Sequence, residues 1–122
     1  MIRIVSAGTI CLDIAPIFAD GIKASAEQFF APGKLLEVGT ADINTGGSVS
    51  NTGLALAFFG AEVILMGKVG RDSFGDLVLA ILSRQEAGGD IIVSDDCHTS
   101  YTMILAPPGI DRIFLHYSKA LV

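Results

Sequence analysis

The paired glycines at 46–47, followed by Ser48-Val49-Ser50-Asn51 and an apolar stretch ending at Gly60, constrain this chain more than any other feature. Adjacent glycines permit positive φ and remove side-chain bulk, so another group can approach the backbone closely. Residues 48–60 read as a helix with Gly60 as its C′ residue. The glycines therefore open that helix, where the first N–H groups have no intrahelical partner. Asn51 can both donate and accept hydrogen bonds, which suits a sugar hydroxyl. The same residues also make a tight capping turn with no ligand, and local features leave both readings open. Gly53, Ala55 and Ala57 are small enough to bring the helix close to a sheet, although Gly53 costs about 1 kcal/mol of helix propensity.

The flanking segments say what that sheet is. Residues 2–7 form a short β-branched run ending at Gly8, and Val63-Ile64-Leu65-Met66 is a continuous apolar run, as in a central parallel strand. Gly67 to Asp72 reads as the turn into a second helix. There Phe74, Leu77, Val78, Ile81 and Leu82 repeat at helical spacing, with Asp72 or Ser73 as N-cap and Gly88 or Gly89 as the stop. Residues 91–93 predict a third short strand. Alternating strands and helices imply a parallel α/β sheet. Two segments do not fit it. Residues 14–45 suggest two or more strands with a Pro32-Gly33 loop, and residues 99–118 read as a hairpin about Pro107-Pro108-Gly109. They are expected to form a separate small β layer.

Composition narrows the class of function. The chain has 122 residues, 51% hydrophobic and 17% charged, enough for one domain with a core and too apolar for disorder. Its net charge is −5 and its eight Lys and Arg are scattered singly, which argues against a nucleic-acid partner. No run approaches the roughly 18 apolar residues of a membrane span, and Asp13 interrupts the N-terminal run that resembles a signal peptide. Cys11 and Cys97 have no metal-ligand spacing and read as reduced, buried thiols of a cytoplasmic protein. His98 and His116 lack partners at metal spacing and read as surface or lid residues; no metal site is expected. Asp72 reads as a cap rather than a base, and Asp95-Asp96 as a solvated turn.

Asp13 is the second candidate site residue. It follows the first strand, and in open α/β sheets ligands bind outside the carboxyl ends of strands. An ionised carboxylate there can accept two hydroxyl donors and so hold a sugar diol. A lone loop aspartate is more often simply solvated; the Gly-Gly helix start nearby favours a site. A dinucleotide site is a rival reading of the paired glycines, but no G-x-G-x-x-G follows the first strand.

Gly8 to Asp13, Pro32-Gly33, GGSVSN at 46–51 with Gly60 and Gly70, and KVGRDSFG at 68–75 together resemble the ribokinase-like (pfkB) carbohydrate kinase family. The match departs at Val49 and Gly53, and Ser48 stands where ribokinases proper usually carry Lys. The resemblance implies an α/β fold: part of a ribokinase-like three-layer parallel sheet with helices, plus a small β-sheet lid. It implies that Asp13, Gly46, Gly47 and Asn51 hold a sugar or nucleoside. Residues 14–45 and 99–118, with Tyr101 and Ile104, would form the lid, which often pairs two subunits. Phosphoryl transfer in the family uses ATP and Mg²⁺ with an Asp base and an anion hole on a helix-opening Gly-Ala-Gly-Asp motif. AGGD at 87–90 mimics that string, but here the glycines follow a helix and Asp90 leads into a strand pattern.

Two expectations follow. The first is the N-terminal, substrate-binding and lid portion of an ATP-dependent carbohydrate kinase, without the catalytic and nucleotide-binding half, itself inactive and binding no cofactor. The second is a stand-alone module that self-associates through lid strands.

Overall fold

The computed structural model describes residues 2–19, 26–85 and 88–119. Among the described residues, seven strands and three helices follow in order: β1 (Arg3–Ala7), β2 (Cys11–Pro16), α1 (Ala26–Phe29), β3 (Ala41–Gly46), α2 (Gly47–Phe58), β4 (Glu62–Gly70), α3 (Ser73–Arg84), β5 (Gly89–Ser94), β6 (Tyr101–Leu105) and β7 (Ile113–Tyr117). They form two sheets. One is parallel, in the order β1-β4-β5; the other is mixed, in the order β3-β2-β6-β7. The expected split into a parallel α/β sheet and a separate β layer is therefore observed.

The run at 63–66 is central in the parallel sheet because its residues are apolar on both faces, as such strands require. Leu65 and Val69 point to one side, where Val49 of α2 and Val78 and Leu82 of α3 meet them in a single buried cluster. On the other side Val5, Met66 and Ile92 remain exposed. Gly53 makes the close helix–sheet approach: a Cβ there would collide with the Leu65 side chain. Ala55 and Ala57, expected to share this role, lie on the exposed face instead.

The ends of α2 follow from its sequence. Gly60 takes φ 88°, its N–H bonds Ala57 O at 2.9 Å, and the Ala61 N–H bonds Leu56 O at 3.1 Å. This pair of bonds satisfies carbonyls that would otherwise be orphaned.

Several boundaries differ from expectation, each for a packing reason. The strand at 63–66 continues through Gly70, so Gly67-Lys68-Val69-Gly70 is not a turn. Its glycines mark close approaches: a Cβ at Gly67 would lie 3.1 Å from Ile10 Cγ2, and one at Gly70 would strike the Cys97 carbonyl. Helix α3 ends at Arg84 with Gln85 as C-cap, before the expected stop at Gly88 or Gly89. Gly89 already belongs to β5, where a Cβ would collide with Leu65 O. Glu86 and Ala87 lie outside the described residues, as does 20–25 within the excursion. Asp13 is a strand residue rather than a loop residue, because β2 begins at Cys11 and pairs it with Asn44. Of the described part of the excursion, 41–46 continues the mixed sheet after β2, and Pro32-Gly33 is a turn, as expected. Cys11 and Cys97 are both free, but only Cys11 is buried.

Asp72 ties the two sheets together. Its carboxylate caps α3 through the Gly75 N–H at 2.8 Å and accepts from Thr99 N–H at 2.9 Å and Thr99 Oγ1 at 2.6 Å. Thr99 also accepts the Gly70 N–H at 2.9 Å, so the end of β4 and the start of β6 share one polar knot. Asp95, expected to be merely solvated, pairs with Arg71 Nε at 2.6 Å. Partial burial works to raise the Asp72 pKa, but the Thr99 and Gly75 hydrogen bonds and nearby His98 outweigh it and hold the carboxyl below its ordinary value. A depressed folded pKa contributes stability above the unfolded value, lost as pH falls through the folded one. Asp72→Ala should therefore cost about 1–2 kcal/mol in urea unfolding at pH 7. The deficit should begin to shrink as pH falls below about 3.8, the ordinary value of the unfolded carboxyl, and be lost once the native carboxyl, held lower, is protonated.

Candidate functional site

Strand alternation divides the mixed sheet into two faces. Leu12, Ile14 and Tyr101 turn toward the core, and Tyr101 packs edge-on against Phe74 of α3 with ring centroids 5.3 Å apart. Cys11, Asp13, Thr102 and Ile104 turn the other way. Register adds their neighbours on that outward face: Asn44 opposite Asp13, Asp42 opposite Ala15, His116 opposite Thr102, and Phe114 opposite Ile104. Asp13 is itself paired with Thr102 across the parallel β2–β6 seam.

These side chains are linked. The Cys11 thiol donates to Asp13 Oδ1 at 3.3 Å and lies 4.0 Å from Thr102 Oγ1; Thr102 Oγ1 is 2.9 Å from His116 Nδ1. A polar row thus crosses the sheet from Asn44 through Asp13 and Thr102 to His116. Burial, then the hydrogen bond and charge of Asp13, push the Cys11 thiol up to about 11, against smaller opposing effects from Thr102 and the Gly46 N–H. At neutral pH the thiol stays protonated and remains a donor to the carboxylate.

The row meets α2 at a corner with no room for side chains. The Asp13 carboxylate lies directly over Gly46, where a Cβ would overlap it. Gly47 takes φ 84°, and a Cβ there would stand 2.5 Å from Thr9 O. Thr9 O in turn accepts the Val49 N–H at 3.1 Å, so the turn after β1 docks on the start of α2. No side chain caps that helix at Gly46. Ser48 Oγ lies 3.4 Å from Thr9 Oγ1. Asn51, three residues further along the helix, shares the exposed face with Ser48, one turn into α2.

The structure therefore brings Asp13, Gly46 and Gly47 together, with Asn51 on the adjoining helix face. Of the two residues expected in a lid, Ile104 lies on the Asp13 face, whereas Tyr101 faces α3. Sequence reasoning missed Cys11, Asn44, Thr102 and His116. The alternation of 11–16 and 101–105 carried that signal, but the pairing of two segments so distant in sequence did not show in it. His116, read from sequence only as a surface or lid residue, lies on β7 with Thr102 as its partner. His98 is exposed, with Nδ1 3.6 Å from Asp72 Oδ2.

Gly88, Gly89 and Asp90 do not suit a phosphate-binding helix start. Gly88 O accepts the Leu65 N–H at 3.0 Å, and Gly89 and Asp90 are paired within β5. Among the described residues no group of three His, Cys, Asp or Glu side chains could hold a metal ion, and no helix is long and apolar enough to cross a membrane. Gly88 to Asp90, taken up in strand pairing, do not fit the phosphates of ATP or its Mg²⁺.

Comparison with solved structures decides the fold. The chain superposes on a ribokinase from Giardia lamblia with a TM-score of 0.76 at 19% identity, over 96% of this chain and 36% of that one. The chain has a ribokinase-like fold. A fructokinase from Halothermothrix orenii matches with a TM-score of 0.70 at 21% identity, covering 98% of this chain and 38% of its own. A fructokinase from Xylella fastidiosa with bound ATP matches at 0.68 and 20% identity, covering 95% and 33%. The ribokinase-like fold seen here thus spans little more than a third of the length of these structures. No family model and no curated protein matches the chain in sequence.

The contrast between the two thiols gives a direct check of the polar row. Iodoacetamide at pH 7.5 should alkylate the half-buried Cys97 and spare Cys11, which should react only as pH approaches about 11 or on unfolding. Asp13→Asn should speed the Cys11 reaction by removing a charge that opposes the thiolate. Peptide mass mapping of the two cysteines reads both outcomes.

Proposed function

We propose that this chain is the substrate-binding and lid portion of a cytoplasmic, ATP-dependent carbohydrate or nucleoside kinase that transfers the γ-phosphate to a sugar hydroxyl with Mg²⁺. The observation that carries this reading is the Asp13 carboxylate held over Gly46, at the junction of a four-stranded lid sheet and an uncapped helix start. The solved structures of this fold are sugar kinases by name, which supports the same reading.

In this reading Asp13 accepts two hydroxyl donors of the substrate, with Cys11 occupying Oδ1 from the protein side. Gly46 and Gly47 let the sugar approach the backbone where the α2 N–H groups begin, and Asn51 serves a further hydroxyl. Ile104 and the rest of the outward lid face cover the bound ring. In a kinase of this kind ATP and Mg²⁺ would supply the transferring phosphoryl group and the charge that stabilises it. Because Gly88 to Asp90 are engaged in β5 pairing, the isolated chain is expected to bind substrate without phosphorylating it.

Titration calorimetry of the 122-residue chain against sugars and nucleosides tests this reading. Asp13→Asn should weaken binding at least tenfold, about 1.4 kcal/mol. Unchanged binding in that variant overturns the assignment of Asp13. ATP-dependent phosphorylation of the same panel should give no product, and robust turnover would contradict the inactive-portion reading.

Self-association through the lid has its own support. Strands β3 and β7 are the sheet edges, and Ile43 and Leu115 on them are exposed. Light scattering should show a dimer at high concentration; a clean monomer counts against lid pairing.

A further inference from the structure

Strand alternation turns Tyr101 and its cross-strand partner Tyr117 away from the Asp13 row, to the face of the mixed sheet that meets α3. Their rings stack at 26° with centroids 6.0 Å apart. Phe74 of α3 stands against Tyr101 at 71°, with centroids 5.3 Å apart. The three rings thus make a floor and a wall rather than a closed core cluster. All three are only partly buried, and with Asp72, His98 and Thr99 they line one open groove of about 460 Å³.

The polar end of this groove is a carboxylate with an acceptor position to spare. Asp72 Oδ1 takes the Gly75 N–H and the Thr99 hydroxyl, whereas Oδ2 takes the Thr99 N–H alone. His98 Nδ1 is 3.6 Å from Oδ2, too long for a hydrogen bond, and its side chain is 82% exposed. The Asp72 side chain is itself 27% exposed, so Oδ2 can be reached from the groove. The hydrogen bonds on Asp72 hold its carboxyl ionised through the neutral range. The α3 N-terminus opposes a cation here with about half a positive charge, less than the full unit on the carboxylate.

We propose that this groove binds a guanidinium group, its plane against the tyrosine rings and an N–H edge on Asp72 Oδ2. The proposal lies on the opposite face of the sheet from Asp13 and does not rest on the sugar-site reading. A guanidinium matches both parts of the groove, since it is a flat, weakly hydrated cation that stacks on aromatic faces and donates in its own plane. A quaternary ammonium has no N–H for Oδ2, and a neutral ring leaves the carboxylate without a counter-charge. A primary ammonium is more strongly hydrated and does not stack. The guanidinium can be carried by an arginine side chain of a peptide or by free arginine, because the recognised group is the same.

Titration of the 122-residue chain, followed by the NMR signals of its tyrosine rings, tests this. N-acetyl-L-arginine amide should bind about tenfold more tightly than the corresponding citrulline amide, its neutral isostere, and than the lysine amide. Free L-arginine separates the two sources: affinity equal to that of the amide indicates a free compound, and weaker binding a side chain within a peptide. Tyr117→Leu should weaken arginine amide binding about fivefold, and Tyr117→Phe should retain it. Thermal unfolding checks that both variants fold; if Tyr117→Leu does not, the comparison of arginine with citrulline on the unaltered chain decides. Citrulline or lysine amide binding as tightly as the arginine compound overturns the proposal. So does a folded Tyr117→Leu variant of unchanged affinity, or the absence of any saturable shift in the tyrosine signals.

Discussion

The corner at Gly46-Gly47 is the constraint on which the rest of the site depends. Within two residues the chain stops being a strand of the mixed sheet and becomes a core helix, and neither position can carry a side chain. Asp13 occupies the space beside the first, and the carbonyl of Thr9 occupies the space beside the second. Because Thr9 O also takes the Val49 N–H, the turn between β1 and β2 is pinned to the helix start. Val49 is itself fully buried in the main core. The carboxylate is therefore placed by the same packing that joins the two sheets, which is how a polar group on a small sheet gains the rigidity of a large core.

The Asp72–Thr99 knot does for the other end of the lid what the glycine corner does for the first. Strand β6 must start at a fixed height beside β2 for Thr102 to fall opposite Asp13. Thr99 bonds the end of β4 and the cap of α3 at once, so β6 leaves from a point set by the parallel sheet. Leu12 then takes up Ser100 O at 3.0 Å, and the seam between the two hairpins begins there.

Much of this was legible in the sequence because it rests on local chemistry. The Gly60 helix stop, the Asp72 cap, the Pro32-Gly33 turn and the buried central strand each follow from a few adjacent residues. The positions read wrongly are glycines whose role is tertiary. Gly67, Gly70 and Gly89 look like punctuation, yet each lies within a strand where a neighbour's backbone or side chain leaves no space for a Cβ. At the site, Asp13 and the paired glycines were visible as motif residues. Thr102 and His116 were not, because nothing in 99–118 states that it will pair in parallel with 11–16.

That parallel seam is short: three residue pairs, from Leu12 with Tyr101 to Ile14 with Met103, link segments near opposite ends of the described chain. Closing so long a loop has an entropic cost that only contacts made afterwards repay. The β1–β4–β5 sheet, assembled from nearer neighbours, is then the natural scaffold on which the second hairpin lands. As the polypeptide is synthesised, Asp13 emerges early but waits for Thr102 and His116. The polar row is completed late in the order of folding, by β6 and β7.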